Sequence, residues 1–121
     1  MRLAPTLFAA VGAVAATPQA ALAHAHLLQA QPAADATLHS SPKMVRLTFS
    51  EPLILSFSGL QVRDAAGHAL HTGKAALDPN RRVLTLPLRD RLPAGLYTVH
   101  WRAVSADTHR VEGRYQIRLA P

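Results

Sequence analysis

Apolar and polar residues alternate along several short segments of this chain, with a repeat of two residues. In the segment 44–50 every second residue is apolar, namely Val45, Leu47 and Phe49. The segments 96–105 and 113–119 continue this alternation, and turns rich in proline or glycine separate the segments. A period of two is typical of strands with one buried face, and no segment after residue 23 sustains a helical period. About six or seven short strands of this kind predict an all-β fold, either a β-sandwich or a small Greek-key β-barrel.

The longest predicted strands have distinct inward and outward faces. In the segment 96–105 the odd-numbered residues from Tyr97 to Ala103 face one way, and His100 and Arg102 face the other. In the segment 113–119 the odd-numbered residues point inward, and the residues pointing outward are Arg114, Gln116 and Arg118. A further strand, residues 83–88, contains Pro87, which lacks a backbone N–H. This strand is therefore predicted either to lie at a sheet edge or to end there.

The first 23 residues have the features of a secretory signal peptide. Arg2 precedes a mostly apolar stretch, which is too short for a membrane span and is interrupted by Pro5. The sequence Ala21-Leu22-Ala23 supplies a small-residue cleavage pattern. Cleavage after Ala23 would leave one exported domain, residues 24–121, in the periplasm. Ala23-His24-Ala25 fits the same pattern, so cleavage after Ala25 remains an alternative and would expose His26 instead.

The composition excludes several classes of site. The chain has no cysteine, which removes blue-copper centres, iron–sulfur clusters and thiol nucleophiles, and leaves packing and hydrogen bonds to stabilise the fold. The 13 Lys and Arg residues outnumber the 7 Asp and Glu residues. The arginines are spread over the predicted strands, with one doublet, Arg81-Arg82, and no basic run with interleaved aromatics. This distribution predicts solvated strand faces and loops and no nucleic-acid partner.

Among the seven histidines, His24 has special chemistry if it becomes the first residue of the mature chain. Its α-amine, with a pKa of about 8, and its ring can chelate one metal ion together. The ring of His109 would add a third nitrogen, and Asp107, two residues earlier, could add a carboxylate oxygen if the backbone is extended. Such a set suits Cu(II). Taken alone, Asp107-Thr108-His109 is a weak motif and is more typical of a loop carboxylate that orients a histidine than of a metal site.

Longer motifs carry a resemblance to a known family. They are HAHL at residues 24–27, LTFSEP at 47–52, PAGLYTVHWR at 93–102 and VSADTH at 104–109. In this order and spacing the chain resembles the CopC family of exported copper-binding proteins over essentially the whole of residues 24–121. The resemblance implies a cupredoxin-like (immunoglobulin-like) Greek-key fold.

The resemblance also implies a copper site called a histidine brace. On this chain its Cu(II) ligands would be the amine and ring of His24, the ring of His109 and the carboxylate of Asp107, with Glu51 holding the geometry from outside. His26 would be structural or a weak extra ligand. Some members carry a second, Cu(I) site rich in methionine. This chain has only Met1 and Met44, so we expect one Cu(II) per chain and no Cu(I) site.

The function implied is that of a periplasmic copper-binding protein for copper homeostasis or resistance, without enzymatic turnover. It would sequester Cu(II) and deliver it to an inner-membrane transport partner of the CopD type, without spanning the membrane itself after signal cleavage. One alternative is a copper oxidase or monooxygenase with a histidine brace, which needs an aromatic substrate platform. The inward positions of Tyr97, Trp101 and Tyr115 leave little for such a platform. The other alternative is a metal-free immunoglobulin-like interaction module.

Overall fold

The computed structural model describes residues 25–121, which form eight strands and one 3₁₀ turn. The elements in chain order are β1 (Leu27–Gln31), β2 (Thr37–Leu38), β3 (Met44–Phe49), the 3₁₀ turn (Leu55–Phe57), β4 (Gly59–Arg63), β5 (Ala76–Leu77), β6 (Val83–Pro87), β7 (Gly95–Val104) and β8 (Arg110–Leu119). The predicted signal peptide and His24 lie outside the described residues. No helix within residues 25–121 has the length and apolar character needed to cross a bilayer.

The strands form two four-stranded sheets, in the orders β1-β3-β6-β5 and β2-β8-β7-β4. Neighbouring strands are antiparallel except for β2, which runs parallel to β8. This is the sandwich form of the predicted all-β architecture. Strand β6 has a neighbour on each side and ends at Pro87, so the second of the two alternatives for this proline is the one observed.

The core lies between the two sheets and is built from the inward positions of the alternating segments. Val45, Leu47 and Phe49 are buried from one sheet, and Val99 and Ile117 from the other. The Phe49 and Trp101 rings meet edge to face across the core, with centroids 5.3 Å apart. The predicted period of two is therefore confirmed in the longer strands, such as β3, β6 and β8, where every second residue faces the core.

The hydroxyl groups of the two core tyrosines differ in their hydrogen bonding. Tyr97, near the start of β7, donates a hydrogen bond of 2.6 Å from its hydroxyl to the carbonyl of Pro93 in the preceding turn. The hydroxyl of Tyr115 on β8 is buried and has no hydrogen-bond partner among residues 25–121. Burial raises the pKa of Tyr115 to about 12.

Candidate metal centre

Asp107 and His109 lie in the short loop that joins the two longest strands, β7 and β8. The hairpin pairs as far as Val104 and Arg110, and a compact turn closes it. In this turn the amide of Thr108 donates to the carbonyl of Ser105 at 2.8 Å. Thr108 has a φ of 69°, in the left-handed region that β-branched residues rarely adopt. The turn reverses the chain between Ser105 and His109, and the side chains of Asp107 and His109 meet in it.

The carboxylate of Asp107 contacts His109 and Ser105 at once. Its Oδ2 lies 3.0 Å from Nδ1 of the His109 ring, and its Oδ1 accepts a hydrogen bond from the Ser105 hydroxyl. The His109 amide also lies 3.3 Å from Oδ1. When Nδ1 carries the proton and donates it to the carboxylate, Nε2 is the ring atom with a lone pair for a metal ion.

The same contacts set the charge of Asp107. The Ser105 hydroxyl is the largest cause that lowers the pKa of Asp107 to about 2, with the hydrogen bonds from His109 adding to it. The carboxylate is therefore ionised at every physiological pH. The side chains of Asp107 and His109 are 35% and 48% exposed, so an ion from solvent can reach them.

The first described residues are held firmly at the end of β3. Ala25 is fully buried in the core. The amide of His26 donates to the Ser50 hydroxyl at 2.8 Å, and the amide of Ser50 donates to the His26 carbonyl at 2.9 Å. The side chain of His26 is exposed. The chain therefore enters the sandwich at a defined point, one residue after His24.

The residues after β3 connect this entry point with the β7–β8 loop. Leu53 forms an isolated bridge with Ser105, and the amide of Ile54 donates to the carbonyl of Val104 at 2.8 Å. Ser50 and Leu53 are three residues apart, a span of at most about 10 Å. Glu51 is half-buried in this connection, between the residue that holds His26 and the residue that meets Ser105. The segment that contains Glu51 is thus joined to the end of the β7–β8 hairpin through Leu53 and Ile54.

The other histidines are elsewhere. Nδ1 of His68 lies 3.6 Å from Asp64, and Nδ1 of His71 lies 3.0 Å from Asp90, each pair in an exposed loop. His100 lies on the outer face of its sheet, opposite Arg114. Between residues 25 and 121 no group of three or more His, Asp or Glu side chains is arranged to hold a metal ion. The described residues therefore contribute a pair of donors, Asp107 and His109.

Sequence reasoning assigned no role to Ser105, the residue that orients Asp107. It lies within the VSADTH motif, two residues before Asp107, and it is almost fully buried. A serine is common in turns, so its presence alone gave no signal. Its hydroxyl became informative only once the turn placed it against the carboxylate.

Comparison with known proteins identifies the family. The family model described as the CopC domain matches residues 27–120. The chain belongs to the CopC family. It is 39% identical over 122 residues to copper resistance protein C of Pseudomonas syringae pv. tomato, covering 94% of this chain and 92% of that protein. It is 33% identical over 97 residues to the copper transport protein CutJ of Bacillus subtilis, covering 79% of this chain and 18% of that protein.

A solved structure gives the same result for the fold of this CopC-family chain. PcoC from Escherichia coli, described as a methionine-rich copper resistance protein, superposes with a TM-score of 0.71 at 32% identity. The match covers 80% of this chain and 99% of PcoC. The family and the sandwich fold expected from the sequence are therefore confirmed, and the chain belongs to a family of copper-handling proteins.

Proposed function

We propose that this protein is a periplasmic carrier or buffer that binds one Cu(II) ion per chain and delivers it to a membrane transport partner. The observation that carries the proposal is the Asp107–His109 pair, joined at 3.0 Å and oriented by Ser105. The ionised carboxylate of Asp107 orients the imidazole of His109 and leaves Nε2 as a nitrogen donor for Cu(II). Asp107 itself would become an oxygen ligand once its carboxylate turns from Nδ1 of His109 to the metal ion.

His24 completes the site in this proposal. Ala25 is buried and His26 is held by Ser50, so the chain immediately after His24 has a defined path. A mature chain that begins at His24 supplies an amine and a ring nitrogen, and His109 supplies the third nitrogen. In the proposal Glu51 holds the amine or a ligand by a hydrogen bond. Support comes from its segment, which meets Ser105 through Leu53.

The donors that the chain carries support a stoichiometry of one Cu(II) per chain. PcoC is described as rich in methionine, whereas this chain has two methionines, Met1 and Met44. Met44 is 49% exposed on the outer face of the other sheet. Thioethers are the soft donors that select Cu(I), so a lone exposed Met44 favours a single site for the oxidised ion.

The experiment that tests the proposal compares two forms of the exported chain, checked by intact mass. One begins at His24 and the other carries one extra glycine before His24. Titration with Cu(II) should give one tight ion per chain for the first form, with an electron paramagnetic resonance spectrum of nitrogen ligation. The extended form should bind far more weakly, because its histidine has no terminal amine. Equal affinity of the two forms would contradict the histidine brace.

Delivery is supported by the exposure of the site and by CutJ. CutJ, which is named a copper transport protein, contains a segment similar to 79% of this chain, and that segment is 18% of CutJ. The half-exposed His109 ring gives a partner access to the ion. A CopD-type inner-membrane protein in vesicles should remove Cu(II) from the loaded chain faster than a chelator of equal affinity does. Transfer at the rate of spontaneous release would contradict direct delivery.

A copper enzyme finds less support in the structure. Tyr97 and Tyr115 contribute to the core, and the Trp101 ring packs against Phe49. These are the side chains that a flat platform for a polymeric substrate would need on the surface. The proposal is therefore a binding protein without turnover.

A further inference from the structure

The outer face of the sheet β2-β8-β7-β4 carries arginines from three strands. Cross-strand partners point to the same face of a sheet. Arg63 pairs with Thr98, His100 pairs with Arg114, and Arg102 pairs with Glu112, all on this outer face. We call this surface the arginine face, and its cationic members are Arg63, Arg102, Arg110, Arg114 and Arg118.

The charge of the arginine face is only partly balanced. Glu112 lies 3.8 Å from Arg110, and both side chains are exposed. Asp35 lies at the border, because its amide donates to the carbonyl of Gln116 at 2.8 Å. Arg63 and Arg102 donate hydrogen bonds to backbone carbonyls. A carbonyl is neutral, so it does not compensate the positive charge of the guanidinium. Five arginines against these two carboxylates leave an excess of three positive charges (5 − 2).

The opposite sheet has a different outer face. Its outward positions on β3 are Met44, Arg46 and Thr48, and their partners on β6 are Pro87, Thr85 and Val83. Gln29 and Gln31 occupy the corresponding positions on β1. Among outward strand positions, this sheet therefore carries one arginine against five on the other sheet. The remaining cations of residues 25–121 lie in loops and turns, namely Lys43, Lys74, Arg81, Arg82, Arg89 and Arg91.

An exposed apolar turn borders the arginine face. The 3₁₀ turn directly precedes β4, and its residues Leu55 and Phe57 are 42% and 57% exposed. The guanidinium of Arg102 donates to the carbonyl of Phe57 at 2.9 Å, so a cation and an exposed aromatic residue are neighbours. Basic side chains beside exposed apolar ones are the combination by which proteins bind the surface of an anionic bilayer.

We propose that the arginine face is a docking surface for an anionic phospholipid bilayer, with Phe57 entering the headgroup region at its border. The first and last arginines on β8, Arg110 and Arg118, are eight residue steps apart, roughly 27 Å at about 3.4 Å per step. A bilayer presents many mobile lipid phosphates over an area of this size. Each guanidinium group can bind a phosphate through two N–H donors. An acidic protein would have to present carboxylates over the same length.

Docking in this manner would also orient the molecule. The amide of Ile54 donates to the carbonyl of Val104, and Leu53 forms a bridge with Ser105. The 3₁₀ turn comes immediately after these two residues, so it lies next to the hairpin end that carries Asp107 and His109. The end of the sandwich with this loop would then lie close to the bilayer. The inference does not depend on copper, since neither the arginines nor Phe57 belongs to the candidate metal centre.

The test measures binding of the exported, N-terminally processed chain to lipid vesicles by sedimentation. The vesicles contain phosphatidylcholine alone, or phosphatidylcholine with phosphatidylglycerol as one lipid in three. Arg114→Gln/Arg118→Gln removes two charges from the arginine face. Lys43→Gln/Arg46→Gln removes two charges from the side of the other sheet and is the matched control. Circular dichroism and Cu(II) affinity should be unchanged in both.

We expect binding to the anionic vesicles and not to the neutral ones, and loss of binding in roughly 0.5 M salt through screening. Each arginine near an anionic surface contributes about fivefold, so Arg114→Gln/Arg118→Gln should bind about 25-fold more weakly. The control should lose about threefold or less, because its charges stay farther from the lipid than the Debye length.

Three results would overturn the proposal. They are equal binding to both vesicle types, equal losses in the two double variants, and binding to polyglutamate in preference to the anionic vesicles, which would indicate an acidic protein partner. Phe57→Gln should weaken vesicle binding severalfold while polyglutamate binding stays the same. Unchanged vesicle binding in that variant would overturn the placement of this end of the molecule against the bilayer.

Discussion

At the scale of single residues, Ser105 decides how Asp107 and His109 act together. Its buried hydroxyl holds one carboxylate oxygen of Asp107, and the other oxygen is directed at Nδ1 of His109. Ser105 thus orients the carboxylate of Asp107, and the carboxylate orients the ring of His109. Groups that orient metal ligands in this way commonly change metal affinity by about ten- to a hundredfold.

The variant Ser105→Ala tests this role. Loss of the hydroxyl should raise the pKa of Asp107 from about 2 toward its ordinary value and weaken Cu(II) binding about tenfold. Carbon-detected NMR titration of the Asp107 carboxyl and copper titration measure the two effects. Ser40→Ala, an exposed position in another loop, is the control and should change neither quantity. An unchanged titration of Asp107 in Ser105→Ala would remove the serine from this role.

The pH dependence of copper binding should follow imidazole and amine groups and not the carboxylate. The pKa of Asp107 is depressed, so its charge is present above that value and is lost only as the pH falls through about 2. Imidazole and α-amine groups take up protons between about pH 8 and pH 6 and then compete with the metal ion. Copper titrations from pH 8 to pH 4 should therefore show affinity falling in acid well before Asp107 is protonated. A constant affinity down to about pH 4 would contradict nitrogen ligation.

The two core tyrosines provide a matched pair of substitutions. Tyr97→Phe removes the hydrogen bond to the Pro93 carbonyl and should lower the free energy of unfolding by about 1 kcal/mol. Tyr115→Phe removes a buried hydroxyl without a described partner, so it should leave stability unchanged or raise it. Urea unfolding of both variants measures the difference, and a larger loss for Tyr115→Phe would show that its hydroxyl is satisfied.

At the scale of elements, the β7–β8 hairpin positions the site. Its ten paired positions run from Gly95 opposite Leu119 to Val104 opposite Arg110, and the loop beyond them carries Asp107 and His109. Gly113 faces Trp101 across this hairpin, and a Cβ at position 113 would overlap the indole ring. The glycine leaves room for an aromatic residue that also packs against Phe49.

Gly113→Ala should therefore destabilise the hairpin by about 1 to 3 kcal/mol, since the Trp101 ring must shift within a packed core. Gly59→Ala is the matched control, because a Cβ at position 59 meets nothing within 4 Å. Thermal unfolding with the fluorescence of Trp101, the one tryptophan of the chain, follows both variants. Equal melting temperatures of the two variants would contradict the close approach at Gly113.

At the scale of the whole molecule, the proposed metal centre would join parts that belong to different sheets. The chain enters beside β1 and β3, whereas Asp107 and His109 follow β7 in the other sheet. A metal ion bound by His24 and His109 would therefore connect the two layers of the sandwich. Binding to the folded state alone stabilises it by mass action.

Copper loading should thus raise the melting temperature of a chain that begins at His24. At free Cu(II) about a thousandfold above the dissociation constant, the gain is about 4 kcal/mol. The chain with an added glycine and the variant His109→Asn should each gain much less, although both keep the described sandwich contacts. Calorimetry with and without copper measures these shifts, and an equal gain in all three forms would show that copper stabilises the fold from another site.

Particular residues show how far prediction from the sequence reached. The inward positions of Val45, Leu47 and Phe49 were predictable because alternation depends only on local strand geometry. For Pro87 the sequence left two alternatives, a strand at the sheet edge or a strand that ends there. Strand β5 pairs with β6 on the side away from β3, so β6 is not an edge strand and ends at Pro87. The role of Ser105 was not predictable, since it depends on a turn with Thr108 in a left-handed conformation. His24, the residue on which the site prediction depends most, stays a prediction.

By itself the sequence determined the all-β class, the inward and outward sides of the long strands, the family resemblance and the pairing of Asp107 with His109 as candidates. These follow from local periods and short motifs. Only the tertiary structure decided which strands are neighbours. That arrangement joins the segment after β3 to the end of the β7–β8 hairpin, and it places five arginines that are scattered along the sequence on one face. The physical reason is that strand pairing joins residues that are distant in the chain, and no local pattern encodes which distant strand will be the partner.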